Sequence, residues 1–433
     1  MLPPYYQELE LVILGMIFIL LAAGLYKTKY AVIAYLFIML FRPGELYEVL
    51  GQIRFELLSG IYIGTLILFR GRLKQVSWRT HDINKAMFLF IGVVYLSVPQ
   101  AFDVAFSWDY AYSNFFLIFS LYIMIICLLN EIKDLKLLIY MYLIMTMWLA
   151  YMPIFNHLSG IGHLRLGPGI IHSKGITSGV AGHVGLANMM TQAIPFAYFT
   201  FINERNKIGK GFALLALIMY VYATIGSGSR GGFLGLIICA AIFFIKTKRR
   251  SLFLILLGVG IFLFTGLDEK YLNWMSTISD FGMNEGSAHS RWDGLRNGID
   301  MAMRRPILGV GVGCYSLARG AWFGWSVWAH NHYGELIGEL GILGVASWTW
   351  LIYLCFKEIK RLKKGLIKAG LERDKIYEGV LDACWAALVL RLIIGMTTHS
   401  LSVFIWYMIA ALLVVMSKGI EKEGLLPEKT KLS

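Results

Sequence analysis

The stretch HNHYGELIGELGILGVASWTWLIYLCF, residues 330–356, decides the fold class. From His332 onward it is an apolar run longer than the roughly 20 residues a helix needs to cross a bilayer. Two histidines, an asparagine and two carboxylates, Glu335 and Glu339, crowd its first turns. Comparable apolar runs recur along the whole 433-residue chain, which is 58% hydrophobic, only 15% charged and has a mean hydropathy of +0.64. A soluble domain carries about a quarter charged residues, so the pattern predicts an all-α polytopic membrane protein. The net charge of +13 does not point to nucleic acid, because cytoplasmic loops of membrane proteins are enriched in Lys and Arg.

Apolar length and polar punctuation predict roughly thirteen spans, near 9–26, 30–43, 54–70, 85–102, 113–129, 134–155, 184–203, 211–227, 231–246, 251–267, 332–356, 380–396 and 401–417. They form one integral-membrane domain over 1–433. The amino terminus, MLPPYYQELELV, lacks the positive region of a cleavable signal. The basic loops RGRLKQ, NEIKDLK, NERNKIGKG, KTKRR and KEIKRLKKGLIK alternate with loops poor in Lys and Arg. Placing all five in the cytoplasm satisfies the parity of the spans and puts the amino terminus outside. It leaves a basic cytoplasmic loop at 357–380 and a cytoplasmic tail at 418–433. Two outer segments are long, 156–183 and 268–331, and loops of that length carry structure or function. In the second, Trp292, Leu295, Ile299 and Met303 share one helical face, which predicts an amphipathic helix on the outer surface.

All histidines except His81 map to this outer side: His157, His163, His172, His183, His289, His330, His332 and His399. Arginines that the cytoplasmic bias leaves unexplained gather there too, including Arg165, Arg230, Arg291 and Arg296, with Arg391 inside a span near its outer end. The outer side is therefore the chemical side. Arg230 lies in a Gly/Ser-rich turn where backbones approach closely, and a guanidinium there suits an anion gripped by two parallel hydrogen bonds. Each residue also has a plainer reading. Arg230 could snorkel to headgroups, His330 and Asn331 could cap a helix, and Glu335 and Glu339 could pair with an arginine. Trp322, Phe323, Trp325 and Trp328 suit an interfacial belt. No metal site is expected, since neither DxD pairs nor His-carboxylate spacings occur in the outer loops. The cysteines lack paired spacing, which speaks against both a zinc motif and a disulfide framework.

SGSRGGFLGL (227–236), SRWDGLRNGIDMAMRRPILGVGVGCY (290–315), HNHYGELIGELGILG (330–344) and GHVGLANMMTQAIPFAY (182–198) together resemble, in order, the motifs of the O-antigen ligase and polymerase superfamily. The likeness covers about 165–345. It implies a GT-C-like helical membrane fold topped by a periplasmic helical region. It also implies a multi-pass glycosyltransferase of the bacterial inner membrane whose site opens on the periplasmic face. The donor would be an undecaprenyl-diphosphate-linked glycan held among membrane lipids, and no cofactor is expected. The acceptor would be a hydroxyl of lipid A–core, of a growing glycan or of a protein, with lipid A–core favoured. By the same resemblance His330 is the expected base, and Arg230 and Arg291 are expected near the donor diphosphate. Arg165, upstream and separated from Asn188 by the insertion GPGIIHSKGITSGVAGH and its flanks, is the third arginine expected at the diphosphate. Arg296, Asn331, Tyr333, Glu335 and Arg391 are candidate supporting residues. A polysaccharide flippase is the rival from another class, although its polar residues would sit near the bilayer midplane rather than at one face.

Overall fold

In the computed structural model the described residues are 4–41, 55–69, 81–129, 131–158, 182–246, 286–368 and 375–422. They fold into helices: α1 (Pro4–Tyr26), α2 (Thr28–Phe41), α3 (Phe55–Phe69), α4 (Asp82–Leu96), α5 (Val104–Tyr110), α6 (Leu117–Leu128), α7 (Ile132–Leu158), α8 (Gly182–Asn203), α9 (Lys207–Gly226), α10 (Arg230–Lys246), α11 (Gly286–Arg304), α12 (Tyr315–Phe323), α13 (His332–Lys368), α14 (Lys375–Ile394) and α15 (Ile405–Lys422). Among the described residues there is no strand. Every expected span except 251–267, which lies outside the described residues, falls on one of these helices. Among the described residues five segments are long and apolar enough to cross a membrane: Val104–Leu128, Lys133–Tyr151, Lys207–Gly226, His332–Lys368 and Ile376–Thr397. This is an all-α polytopic membrane protein.

Several boundaries differ from the sequence reading, each for a local reason. The span expected at 113–129 begins earlier, at Val104, because Asp103 caps it by accepting the Phe106 N–H at 3.0 Å. A π-helical turn, Ala111–Phe116, then joins α5 to α6. The segment read as a basic loop at 357–380 is helical as far as Lys368. Lys, Arg, Leu and Glu are good helix formers, and Arg361 pairs with Glu358 one turn back at 2.7 Å. Likewise α15 continues to Lys422, into the expected tail.

The described helices fall into two compact units. The first holds α1–α3, the end of α6 from Ile123, α7–α10, and α14 up to Leu390. Within it α8 packs against α9 and α10. A methyl group added at Gly232 would lie 2.6 Å from the Ala187 Cβ, so that glycine permits the close approach of α10 to α8. Lys136 and Tyr140 of α7 both bond Glu204, at 2.7 and 2.6 Å.

The second unit holds α4, α5, α6 up to Tyr122, α11–α13, and the chain from Arg391 onward. Here α13 is the axis, packed by α11, α4 and α15. The α11–α13 contact is backbone on backbone: a Cβ at Gly298 would overlap the Gly334 carbonyl, and one at Gly334 would overlap the Gly294 carbonyl. The pairs sit in GLRNG (294–298) and GELIG (334–338), so each helix offers two small residues four apart on one face. Turning its glycines toward α13 leaves α11 with Trp292 and Met303 facing outward, 69% and 76% exposed. The amphipathic face read from the sequence is thus the open face of α11. A loop with left-handed glycines at 309, 311 and 313 then runs along α13, where Val310 N donates to Gly338 O at 2.8 Å and Gly311 N to Glu339 O at 3.0 Å. Those carbonyls are free to accept because Gly341, at φ 59, interrupts the helix just beyond them.

Candidate active site

The first turn of α13 is built around Asn331. Its Oδ1 accepts the N–H groups of Tyr333 and Gly334 at 3.0 and 3.1 Å, capping the helix. Its Nδ2 donates to the carbonyls of Arg291 and Met396, both at 3.4 Å. One buried side chain therefore ties α11, α13 and the segment after α14 together. His330 stands just outside this cap. Its φ of 46 is the only left-handed value at a non-glycine among the described residues. Such a conformation costs about 1–3 kcal/mol and persists where the surroundings impose it. The His330 ring is exposed on one side and lies 5.6 Å from the ring of His399, which stacks on Trp328 at 5.7 Å.

Partial burial and then the guanidinium charges of Arg291 and Arg319 hold the His330 imidazole below the usual histidine range. His399 is pushed down to about 4, by burial first and then by His330 and Arg391. Both rings are therefore neutral at physiological pH, as an imidazole that accepts a proton must be.

The two carboxylates of the opening motif are buried, and each holds backbone. Glu335 Oε2 accepts the N–H groups of Ser400 and Leu401 at 2.8 and 3.1 Å, fixing the chain next to His399. Glu339 Oε1 accepts the N–H of Tyr315 at 3.2 Å, fixing the start of α12. This corrects the expectation that an arginine is their main partner. Arg391 is buried within electrostatic range of Glu335, but the donors at hydrogen-bond distance come from the main chain. His332 packs among Tyr333, Trp348 and Trp406 as a core residue. Tyr333 anchors its hydroxyl on Leu392 O at 2.6 Å.

The structure brings His330, Asn331, Arg291, Glu335, Tyr333 and Arg391 into this unit around one helix terminus. Arg296, one turn beyond Arg291, is exposed. Arg230 belongs to the first unit, half-buried at the first position of α10, where Ser229 Oγ accepts the Gly232 N–H at 3.2 Å. Arg165 lies outside the described residues. The sequence assigns no role to two residues beside His330. His399 read only as one more outer histidine. Arg319 sits on α12, a helix the sequence reading did not expect. Its signal is the spacing of Tyr315, Ala318 and Arg319, which share the buried face of α12. Among the described residues no three His, Cys, Asp or Glu side chains gather as a metal site.

Residues 214–349 match the family model described as O-antigen ligase. The chain carries a domain of the O-antigen ligase superfamily. No curated protein matches the chain. The O-antigen ligase segment begins inside α9 and ends inside α13, so it contains Arg230, Arg291, Arg319 and His330 together with both glycine pairs. The apolar helices make the chain a multi-pass membrane protein, and its residues 214–349 are of the O-antigen ligase and polymerase type.

Proposed function

We propose that the protein transfers a glycan from undecaprenyl diphosphate to a hydroxyl acceptor, lipid A–core oligosaccharide first among them, on the outer face of the inner membrane. His330 takes the proton of the acceptor hydroxyl as its oxygen attacks the anomeric carbon. The new glycosidic bond forms as the bond to the diphosphate oxygen breaks. The electron pair leaves with undecaprenyl diphosphate, and configuration inverts. Arg291 receives the growing negative charge on the diphosphate, in place of a divalent cation. Charges fixed in advance in a site shielded from water can lower such a barrier by several kcal/mol.

One observation carries this reading: a neutral imidazole held in a strained, outward-turned conformation at the mouth of α13, with Arg291 within electrostatic range. A ring that only capped the helix would not need that backbone, because Asn331 already supplies the cap.

The test is reconstitution of the full chain in vesicles with a lipid-diphosphate oligosaccharide and, separately, lipid A–core, a second lipid-linked glycan or a peptide with free hydroxyls. Release of undecaprenyl diphosphate with one glycosylated product supports the reading and identifies the acceptor. Movement of intact donor across the bilayer, with no cleavage in any arm, would make the protein a transporter and end it.

A further inference from the structure

We propose that Arg319 is an anion-binding residue of this site, and that its ligand is a phosphate-class group. The inference rests on the reading above and adds to it a cation that the ordered motifs did not supply.

Arg319 lies on the inner face of α12 and is 5% exposed. Its Nη1 donates to the Trp328 carbonyl at 3.3 Å, two residues before His330. Its Nε is buried and has no hydrogen-bond partner. Among the described residues no carboxylate lies within ion-pair distance of it. The carboxylates within electrostatic range of neighbouring Tyr315 are Glu339, Glu335 and Asp293: Glu339 is engaged through Tyr315 N, Glu335 through Ser400 N and Leu401 N, and Asp293, on α11, reaches the site only through space. A guanidinium cannot shed its charge by losing a proton, and it presents five donors in a planar fork. Burying such a group costs several kcal/mol unless an anion accompanies it. One carbonyl bond does not meet that cost, so an anion brought by a ligand is the missing partner.

The local architecture agrees. The start of α12 is held by Glu339 from the buried side of α13. The Tyr315 hydroxyl, one turn before Arg319, donates to the Gly294 carbonyl of α11 at 2.5 Å. Arg291 lies one turn from Gly294 on α11, and its carbonyl is joined to Asn331. Two guanidinium side chains from different helices thus act on His330, and that of Arg319 is fixed by burial and by its bond to the Trp328 carbonyl. A planar fork fixed in that way matches phosphate oxygens, which accept parallel hydrogen bonds. A uronic or other carboxylate-bearing sugar offers fewer oxygens and less charge.

A phosphate group has two sources: the diphosphate of the donor lipid, or a phosphate carried by the acceptor. The experiment uses full-length protein in nanodiscs and measures binding of undecaprenyl diphosphate without a glycan, together with initial rates on phosphorylated and phosphate-free acceptors. Arg319→Gln and Arg319→Lys are compared with wild type and with His330→Ala. If the donor diphosphate is the ligand, Arg319→Gln weakens undecaprenyl diphosphate binding by about tenfold or more, while His330→Ala binds it normally. Arg319→Lys recovers only part of the loss. If the acceptor supplies the phosphate, lipid binding is unchanged and KM rises only for the phosphorylated acceptor. Should Arg319→Gln not fold, the lysine variant and the thermal shift given to wild type by undecaprenyl diphosphate serve in its place. Unchanged lipid affinity together with unchanged KM for both acceptors overturns the proposal, even if the melting temperature falls. Wild-type protein that binds the lipid diphosphate but forms no product with any acceptor counts against the transferase reading instead, and leaves the Arg319 comparison legible.

Discussion

The carboxylate of Glu335 accepts the backbone N–H of Ser400 at 2.8 Å, linking the first turn of α13 to the segment that carries His399. A second bond, from Leu401 N at 3.1 Å, makes the link two-pronged. Glu335 is therefore a clamp on the ring that faces His330. Truncation in Glu335→Ala would leave two buried donors unpaired, at roughly 1–3 kcal/mol each. The expected outcome is a melting temperature several degrees lower and reduced transfer. Glu335→Gln keeps an acceptor oxygen and should retain most of the stability. Thermal unfolding in detergent with and without added donor measures both variants. Equal stability of the alanine variant and wild type would show that the clamp is idle.

His330 and its arginine neighbours make a prediction about pH. The folded site disfavours the charged imidazole, so the base form persists below the ordinary histidine pKa of about 6.5. Transfer should hold through neutral pH and fail only on the acid side of that value. Removing a positive neighbour in Arg291→Gln eases protonation, so the acid limb should move to higher pH. His330→Ala should lower the transfer rate by about 100- to 10,000-fold and flatten the limb. Stability has the same sign. The neutral forms of His330 and His399 are favoured on folding, so their contribution is complete above about 6.5 and declines as pH falls toward the value of about 4 for His399. Rate profiles over pH 5–8 decide the matter, and an acid limb that ignores Arg291 would separate it from His330.

The close approach of α11 to α13 depends on glycine. At Gly298 a methyl group would overlap the Gly334 carbonyl, and backbone cannot yield as a flexible side chain does. Gly298→Ala should cost about 1–3 kcal/mol, and Gly298→Val more. The same substitution at Gly92, where a Cβ meets nothing within 4 Å, should be neutral or slightly stabilising in its helix. Because Arg291 rides on α11, the Gly298 variants should also raise the donor KM. Parallel unfolding curves and kinetics for the two alanine variants test this.

The helices were legible because apolar length is a coarse and redundant signal. Arg319 escaped notice because a lone arginine in an outer loop looks like any other until α12 turns it inward. The role of Glu335 and Glu339 was misjudged for a related reason. Sequence spacing showed that both face one side of α13, but their partners are backbone N–H groups 65 and 24 residues away, and main-chain donors leave no trace in residue identity. The glycine pairs of α11 and α13 could have been read in advance, since GLRNG and GELIG place small residues four apart. What the spacing could not give is that the two pairs meet each other.

At the other end of α13 a second buried carboxylate makes a contrasting case. Glu358 accepts both Arg361 Nε and Nη2, at 3.0 and 2.7 Å, and Arg361 continues to Glu421 of α15 at 2.9 Å. His81, before α4, lies 3.5 Å from the same carboxylate. The cluster thus joins α4, α13 and α15 far along the helix from His330. Breaking it in Arg361→Ala leaves a buried carboxylate poorly compensated, at about 3–5 kcal/mol. Replacing both partners by apolar residues of similar size, as in Glu358→Leu with Arg361→Met, removes the charge together with its penalty and should recover much of the loss. Because this end of α13 carries no reacting group in the proposed chemistry, the transfer rate per folded molecule should be unchanged in both variants while their melting temperatures separate. A fall in rate that tracks the lost ion pair at constant folded fraction would instead mean that the packing of α13 against α4 and α15 is transmitted along its length to His330.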